Sequence, residues 1–377
     1  MIAPETLASQ LVSLAVSARV LAVKRTIALR ARRRGTTRQP IVVVGLGPIG
    51  IELARLVLAQ RDNFRLVAAV DRAPQLAGAS LRSILGDRAP AGRIRATAPA
   101  APGAAAIAFL TTSSSLSSVG DSILDLLRRG YSVVSSTEEL SYPALRAPAL
   151  AARLDRAARR AGRCIVGTGI NPGFAMDVWP LVLASNTQRI EHVQVMRVVD
   201  ATSRRGPLQR KIGSGMTARD FEALARAGKI GHVGLVESCV HIADLLGWPL
   251  DRVRETLVPK LATRRLRTQH VDVARGRVCG IHHRAIGTQG KTERVILDLQ
   301  MYLGAPGARD EVRLRGIPNL RCVVDGGFHG DLATVAQLVS AAVRIPGMPP
   351  GLHLASELPA PRPPARRVEL SFASART

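Results

Sequence analysis

Aromatic side chains make up only 3% of this 377-residue chain, and it contains just four cysteines. Cys164, Cys239, Cys279 and Cys322 are widely scattered and form no C-x-x-C pair. That spacing argues against a disulfide framework or a zinc site and for a reducing, cytoplasmic compartment. No H-E-x-x-H or similar histidine spacing occurs, so no metal is expected. No G-x-S-x-G elbow occurs either, which leaves hydrolase chemistry without support. Long apolar runs are missing too. The longest largely apolar part of the leader, Leu11 to Val23, contains Arg19 and is too short for the ~30 Å hydrocarbon core of a bilayer. Its positive charges follow the apolar part rather than precede it, the reverse of a secretory signal.

Acidic residues are scarce: 28 Asp and Glu against 53 Lys and Arg leave a formal charge of +25. Such a balance can mark a nucleic-acid partner. The first forty residues hold eight Lys or Arg and one Glu, so 8 − 1 = +7 of the +25 belongs to the leader. The remainder is arginine spread singly, without the basic clusters and stacking aromatics of nucleic-acid binders, so no nucleic-acid partner is expected. Residues 1–38 read as a basic helical extension, with Leu7, Leu11, Leu14, Val16, Val20, Val23 and Ile27 at helical spacings. An interface arm or dispensable extension is the preferred reading and membrane-surface contact the alternative.

The stretch from Ile41 to Asp71 organises the rest. An apolar run, Ile41–Val44, leads into Gly45, Leu46, Gly47, Pro48, Ile49 and Gly50, then a helical segment with Leu53, Leu56 and Val57, then a second apolar run ending at Asp71. This is strand, G-x-G-x-x-G turn, helix, strand, acid, with the acid 21 residues after the last glycine. The glycines let backbone N–H groups and a helix N-terminus approach a pyrophosphate, and Asp71 is spaced to accept from a ribose hydroxyl. Arg72 beside it would accommodate a 2′-phosphate, so use of both NADP and NAD is expected.

Strands at Ala105–Leu110, Tyr131–Ser135 and Cys164–Val166 alternate with helices at Leu116–Arg129 and Glu138–Ala161, the latter interrupted near Pro143 and Pro148. Counting a further strand between Asp71 and Ala105, Ala105–Leu110 is the fourth. The fold class is α/β: a Rossmann-like, doubly wound parallel sheet plus a second α+β domain with a mixed or antiparallel sheet. The second domain is read from helices at Ala175–Ala184, Ala218–Ala227 and Leu235–Leu246 and strands at Ile190–Val199, Val271–Ile286, Arg294–Leu303 and Glu311–Gly316. In its Arg294–Tyr302 run the alternation predicts a half-exposed antiparallel strand, leaving a face for packing against another subunit. The expected divisions are 1–38 extension, 39–173 dinucleotide-binding domain, 174–328 substrate and dimerisation domain, 329–360 last helix and strap, and 361–377 tail.

Ligands of an open parallel sheet bind beyond the carboxyl ends of its strands. The residues found there are the glycines, Asp71 and Arg72, then Thr112, Ser113 and Ser114, then Glu138 and Glu139, then Asn171, Pro172 and Gly173. The serines suit both cofactor contact and capping of the next helix, and the glutamates both chemistry and a helix first turn. Asn171-Pro172-Gly173 is either a turn or a contact to nicotinamide or substrate. Phe174, next in the chain, is a further substrate candidate. His282 and His283, adjacent on a strand, point to opposite faces and read as structural. His329, in the turn Gly326–Asp331, is the better functional histidine.

GLGPIG (45–50), TTSSSL (111–116), SSTEELSYP (135–143), GTGINPGFAMD (167–177), GKIGHVGLVES (228–238), HIADLLGW (241–248), HGDLAT (329–334) and PPGL (349–352) together resemble the 2,4-diaminopentanoate dehydrogenase family. That family is related to dihydrodipicolinate reductase and similar to the native amine dehydrogenases. The resemblance implies a Rossmann domain, a second domain that forms a dimer or higher interface, and an NAD(P)-dependent enzyme that deaminates a small amine or diamino acid to a ketone and ammonia. It also implies that Glu138 or Glu139 lies beside the reacting amine, Glu138 being preferred. Imine reduction and non-catalytic dinucleotide sensing are the alternatives. Two departures stand out: Arg204 and Arg205 lie where relatives have a more neutral, aromatic-containing stretch, and the last helix carries Gln337 and Ser340 where relatives tend to be apolar and then Asn.

Overall fold

The computed structural model describes residues 38–360; the helical leader and the last tail residues of the sequence reading lie outside them. The first half alternates strand and helix. The strands are β1 (Gln39–Val44), β2 (Phe64–Val70), β3 (Ile107–Leu110), β4 (Ser132–Ser135) and β5 (Cys164–Gly167). The helices are α1 (Pro48–Ala59), α2 (Leu81–Leu85), α3 (Leu116–Arg128), α4 (Pro143–Arg146) and α5 (Pro148–Ala161), with a 3-10 turn at Glu138–Ser141.

Every residue of β3, β4 and β5 is buried, as all-apolar runs covered on both faces require. Alternate residues feed opposite cores. Ile41, Val43, Phe109, Val134 and Val166 point to the side packed by α1, whereas Val42, Ala108, Leu110, Val133 and Ile165 meet Leu116, Val119, Ile123 and Leu154 of α3 and α5. Each such fully buried aliphatic side chain contributes about 1.5–3 kcal/mol. With β14 (Gly351–His353) from near the end of the described chain, the strand order is β14-β5-β4-β3-β1-β2, and the β1–β3, β3–β4, β4–β5 and β5–β14 pairs are parallel.

The second half supplies α6 (Val178–Ala184), β6 (Arg189–Asp200), α7 (Gly206–Lys211), α8 (Ala218–Arg226), α9 (Leu235–Leu245), β7 (Arg252–Leu261), the hairpin β8 (Leu266–Arg267) and β9 (Asp272–Val273), β10 (Val278–Gln289), β11 (Thr292–Tyr302), β12 (Arg309–Ile317), β13 (Leu320–Asp325), α10 (Gly330–Arg344) and β14 (Gly351–His353). Its six-stranded sheet runs β13-β12-β6-β11-β10-β7. Val193, Val195, Ile281, Val295, Leu297, Leu299 and Val312 cover one face of it and pack against Leu235, Cys239 and Ile242 of α9. Helix α10 leaves this half and sets Val335, Leu338 and Val339 into the core beside α1.

Four readings need correction. No strand lies between Asp71 and Ala105. That segment lacks an apolar run, and it forms α2 and two isolated bridges, Val70 with Arg95 and Ser80 with Arg93, so β3 is the third strand. The Val271–Ile286 strand is broken into β9 and β10 by a turn at 274–277, where Gly276 donates its N–H to Ala262. Helix α6 starts only at Val178, because the buried Asp177 carboxylate accepts from the N–H groups of Gly173 and Val178 and caps the helix there. Strand β11 is antiparallel to β10 but parallel to β6, so the sheet is mixed at its centre. Four strands lie outside the reading: edge strand β7, whose Pro259 masks its alternation, the two-residue β8, β13, and β14, three residues of the Pro-rich strap.

Among the described residues no helix is long and apolar enough to cross a membrane. The four cysteines are all free thiols.

Candidate active site

The chain leaves β1 at Gly45, whose φ of +95° only glycine adopts without strain. A Cβ there would stand 2.8 Å from Thr112 Cγ2, and a Cβ at Gly50 would stand 1.8 Å from the Gly45 carbonyl oxygen. The protein's own packing therefore requires both glycines. Gly47 differs: its φ of −67° and ψ of −178° suit any residue, and a Cβ there would meet nothing within 4 Å. Gly47 is the N-cap of α1, with no side-chain cap and no acidic residue in the first turn, so the positive end of the helix is uncompensated.

Asp71 braces this loop: Oδ2 accepts from the Leu46 N–H at 2.6 Å and Oδ1 from the Ala73 N–H at 2.8 Å. With Arg72, Thr97 and Ser122 it lines a cavity of about 490 Å³. A second cavity of about 420 Å³ adjoins it at Gly47, Thr111, Thr112 and Ser113. Both volumes lie in the range of small-molecule sites.

The second cavity brings together Gly47, Pro48, Ile49, Thr112, Ser113, Ser114, Glu138, Asn171 and Pro172 from the sequence reading. The two glutamates are parted by structure. Glu138 faces the cavity, 3.3 Å from Lys211 Nζ. Glu139 turns away: Oε2 accepts from the Leu116 N–H at 2.7 Å and the Ser115 hydroxyl at 3.3 Å, so it caps α3. The serine side chains do not cap that helix. Ser115, at the N-cap position, makes no capping bond, and Ser113 Oγ accepts only from the Ser115 N–H. Asn171 presents a buried carboxamide whose Oδ1 and Nδ2 are both without protein partners. Each such group costs about 1–3 kcal/mol unless something pairs with it.

The three substrate candidates do not line either cavity. Gly173 is held against Gly169 and donates to Asp177. Phe174 packs edge-on to Phe328, 5.6 Å between ring centres, on the second core. His329 is exposed and caps α10, its Nδ1 accepting from the Leu332 N–H. The turn does reach the cavity, but with Gly330 and Asp331.

The opposite wall went largely unread. Arg197 of β6 binds Asp310 at 2.5 Å and the Phe328 carbonyl at 2.8 Å. An arginine at an inward-facing position of an alternating strand was the available signal. Burial pushes the Asp310 carboxyl upward against the pull of Arg197. Arg204 and Arg205 share one carboxylate oxygen of Asp331 at 3.0 and 3.2 Å. Arg204 is 93% buried, and its Nε has no partner. Lys211 carried no signal. Four cations face three carboxylates, so the cavity is one positive charge in excess.

The profile of the 2,4-diaminopentanoate dehydrogenase C-terminal domain matches residues 174–371, more than half of the chain. The chain belongs to the 2,4-diaminopentanoate dehydrogenase family. It is 28% identical over 333 residues to the 2,4-diaminopentanoate dehydrogenase of Acetoanaerobium sticklandii, covering 85% of this chain and 94% of that one. The amine dehydrogenase of Mycobacterium smegmatis has a similar fold, with a TM-score of 0.72 and 23% identity over 86% of this chain and 96% of that one. As a member of the 2,4-diaminopentanoate dehydrogenase family, the chain is an oxidoreductase.

Proposed function

We propose that this chain uses NAD or NADP to deaminate a small amine oxidatively to a ketone, and in reverse to aminate the ketone. The observation that carries this reading is Glu138: of two adjacent glutamates it alone faces the cavity that also holds the unpaired Asn171 carboxamide. A dinucleotide fits the residues present. The open space at Gly47 and the uncompensated end of α1 suit a pyrophosphate. Asp71, whose oxygens each keep a lone pair, suits a ribose hydroxyl, and the exposed Arg72 suits a 2′-phosphate. Thr112, Ser113, Ser114, Asn171 and Pro172 would hold the nicotinamide end. When bound, this cofactor takes up a hydride at nicotinamide C4.

The chain's own residues do the rest. Glu138 accepts a proton from the substrate ammonium, freeing the nitrogen lone pair that drives the hydride from the adjacent carbon. Once it has passed that proton to cavity water, the carboxylate faces the positive charge of the iminium left behind. It then takes a proton from the water that attacks the iminium carbon and returns it to the nitrogen, which departs as ammonia and takes up the hydroxyl proton as ammonium. Lys211 holds Glu138 in place, and Ile281 and Met301 form apolar wall. The excess positive charge and the unpaired Arg204 Nε favour a substrate bearing an anionic group, such as an amino acid.

The test is oxidation of NADPH or NADH by the purified protein with a panel of ketones, each with and without ammonium. Ammonium-dependent turnover is expected. Turnover of preformed imines with no ammonium dependence would replace this reading with imine reduction. Arg204→Met is expected to raise KM about tenfold for keto acids and leave neutral ketones nearly unchanged, the scale of one charge-assisted hydrogen bond. An equal effect on both classes would remove the anion from the substrate.

A further inference from the structure

His232 keeps part of its ring open to the cavity that holds Glu138, while its Nε2 is enclosed and has no partner. Its ring lies nearly perpendicular to that of His283, 6.5 Å between centres. The buried His283 binds Glu255 through Nε2 at 2.9 Å, and its Nδ1 has no partner. Glu255 lies on the edge strand β7 with its side chain 41% exposed. A carboxylate only accepts, so the His283 nitrogen facing it carries the hydrogen, leaving Nδ1 as a bare acceptor turned inward. Two orphaned nitrogens on adjoining rings, one ring at the cavity and the other tied to a surface carboxylate, have no structural benefit that offsets their burial.

We propose that His232, His283 and Glu255 form a proton path between the catalytic cavity and solvent. The proposal rests on the deamination reading, in which ammonium substrate, oxidised cofactor and water yield ketone, ammonium ion, reduced cofactor and one proton. That proton has to leave the cavity, and it has to return in the aminating direction. From Glu138 it passes through cavity water to His232. A water between the two rings would carry it from one to the other. As His283 Nδ1 gains the proton, Nε2 releases its own to Glu255, which delivers it to bulk water; rotation of the ring restores the starting tautomer. Burial, with Lys211 and Arg197 nearby, holds His232 well below the ordinary histidine range, so it is neutral between transfers. Arg146 and the bond from His283 hold the Glu255 carboxyl low, so it stands ionised to receive the proton.

The experiment compares His283→Gln and Glu255→Gln with wild type in the deaminating direction. Both are expected to lose about tenfold in kcat with amine KM and cofactor Kd unchanged, to show a larger solvent deuterium isotope effect, and to recover with added imidazole as a small proton carrier. The double variant is expected to be no slower than either single one, because both interrupt one path. Unchanged kcat, or a loss that neither buffer nor isotope responds to, overturns the path. Nitrogen NMR of labelled histidine in the wild type provides a readout that needs no turnover: hydrogen is expected on the His283 Nε2 that faces Glu255. Hydrogen on Nδ1 instead of Nε2 overturns the path even if the deamination reading also fails. If wild type lacks turnover while the expected tautomer is seen, it is the deamination reading alone that fails.

Discussion

Glu138→Gln is expected to lower kcat for amine oxidation by about 10²–10⁴-fold while the Kd for NADH or NADPH stays at its wild-type value. The amide has nearly the shape of the carboxylate, so the cavity and the adjoining cofactor site are retained. What is lost is the ability to take the ammonium proton and to oppose the iminium charge. Glu139→Gln is the matched control. Its carboxylate bonds the Leu116 N–H and the Ser115 hydroxyl rather than facing the cavity. That change is expected to lower Tm by weakening a helix cap worth about 1 kcal/mol, with kcat nearly retained. Steady-state kinetics, cofactor fluorescence titration and a thermal melt on both variants decide the matter. Near wild-type turnover in Glu138→Gln, or a collapse in Glu139→Gln without loss of stability, would reverse the two assignments.

Gly47→Val is expected to weaken cofactor binding by about a hundredfold, roughly 2.7 kcal/mol, with an unchanged Tm. The protein itself leaves this position open: the backbone is ordinary, and no atom stands within 4 Å of a side chain's first carbon. A substituent there would enter the space into which the start of α1 directs its N–H groups. Gly50→Ala offers the contrast. Its Cβ would sit 1.8 Å from the Gly45 carbonyl oxygen, so the helix cannot stay against the strand and loss of folded protein is expected. Of the three glycines in the motif the fold thus requires two and leaves Gly47 open, which is where a requirement set by the ligand is expected. Unaltered cofactor affinity in Gly47→Val would mean that the pyrophosphate lies elsewhere.

Sequence alone determined the parallel sheet and its ligand-binding edge. Strands buried on both faces read as unbroken apolar runs, and glycines and polar clusters mark strand ends within a few residues of the chain, so both signals are local. The ring of Gly45 to Gly50, Asp71, Thr112 to Ser114, Glu138 and Asn171 was legible for that reason. Only the tertiary structure sets Glu138 at the cavity and Glu139 on a helix cap, because that difference turns on the Leu116 N–H, 23 residues from Glu139 in sequence. The wall of Arg197, Arg204, Lys211 and His232, and the absence of His329 from the cavity, were likewise decided by tertiary structure. Those positions depend on the pairing of β6 with β11 and β12, partners about a hundred residues away in sequence. No local periodicity records which strand will lie beside which, and the chemistry of the second wall follows from that pairing.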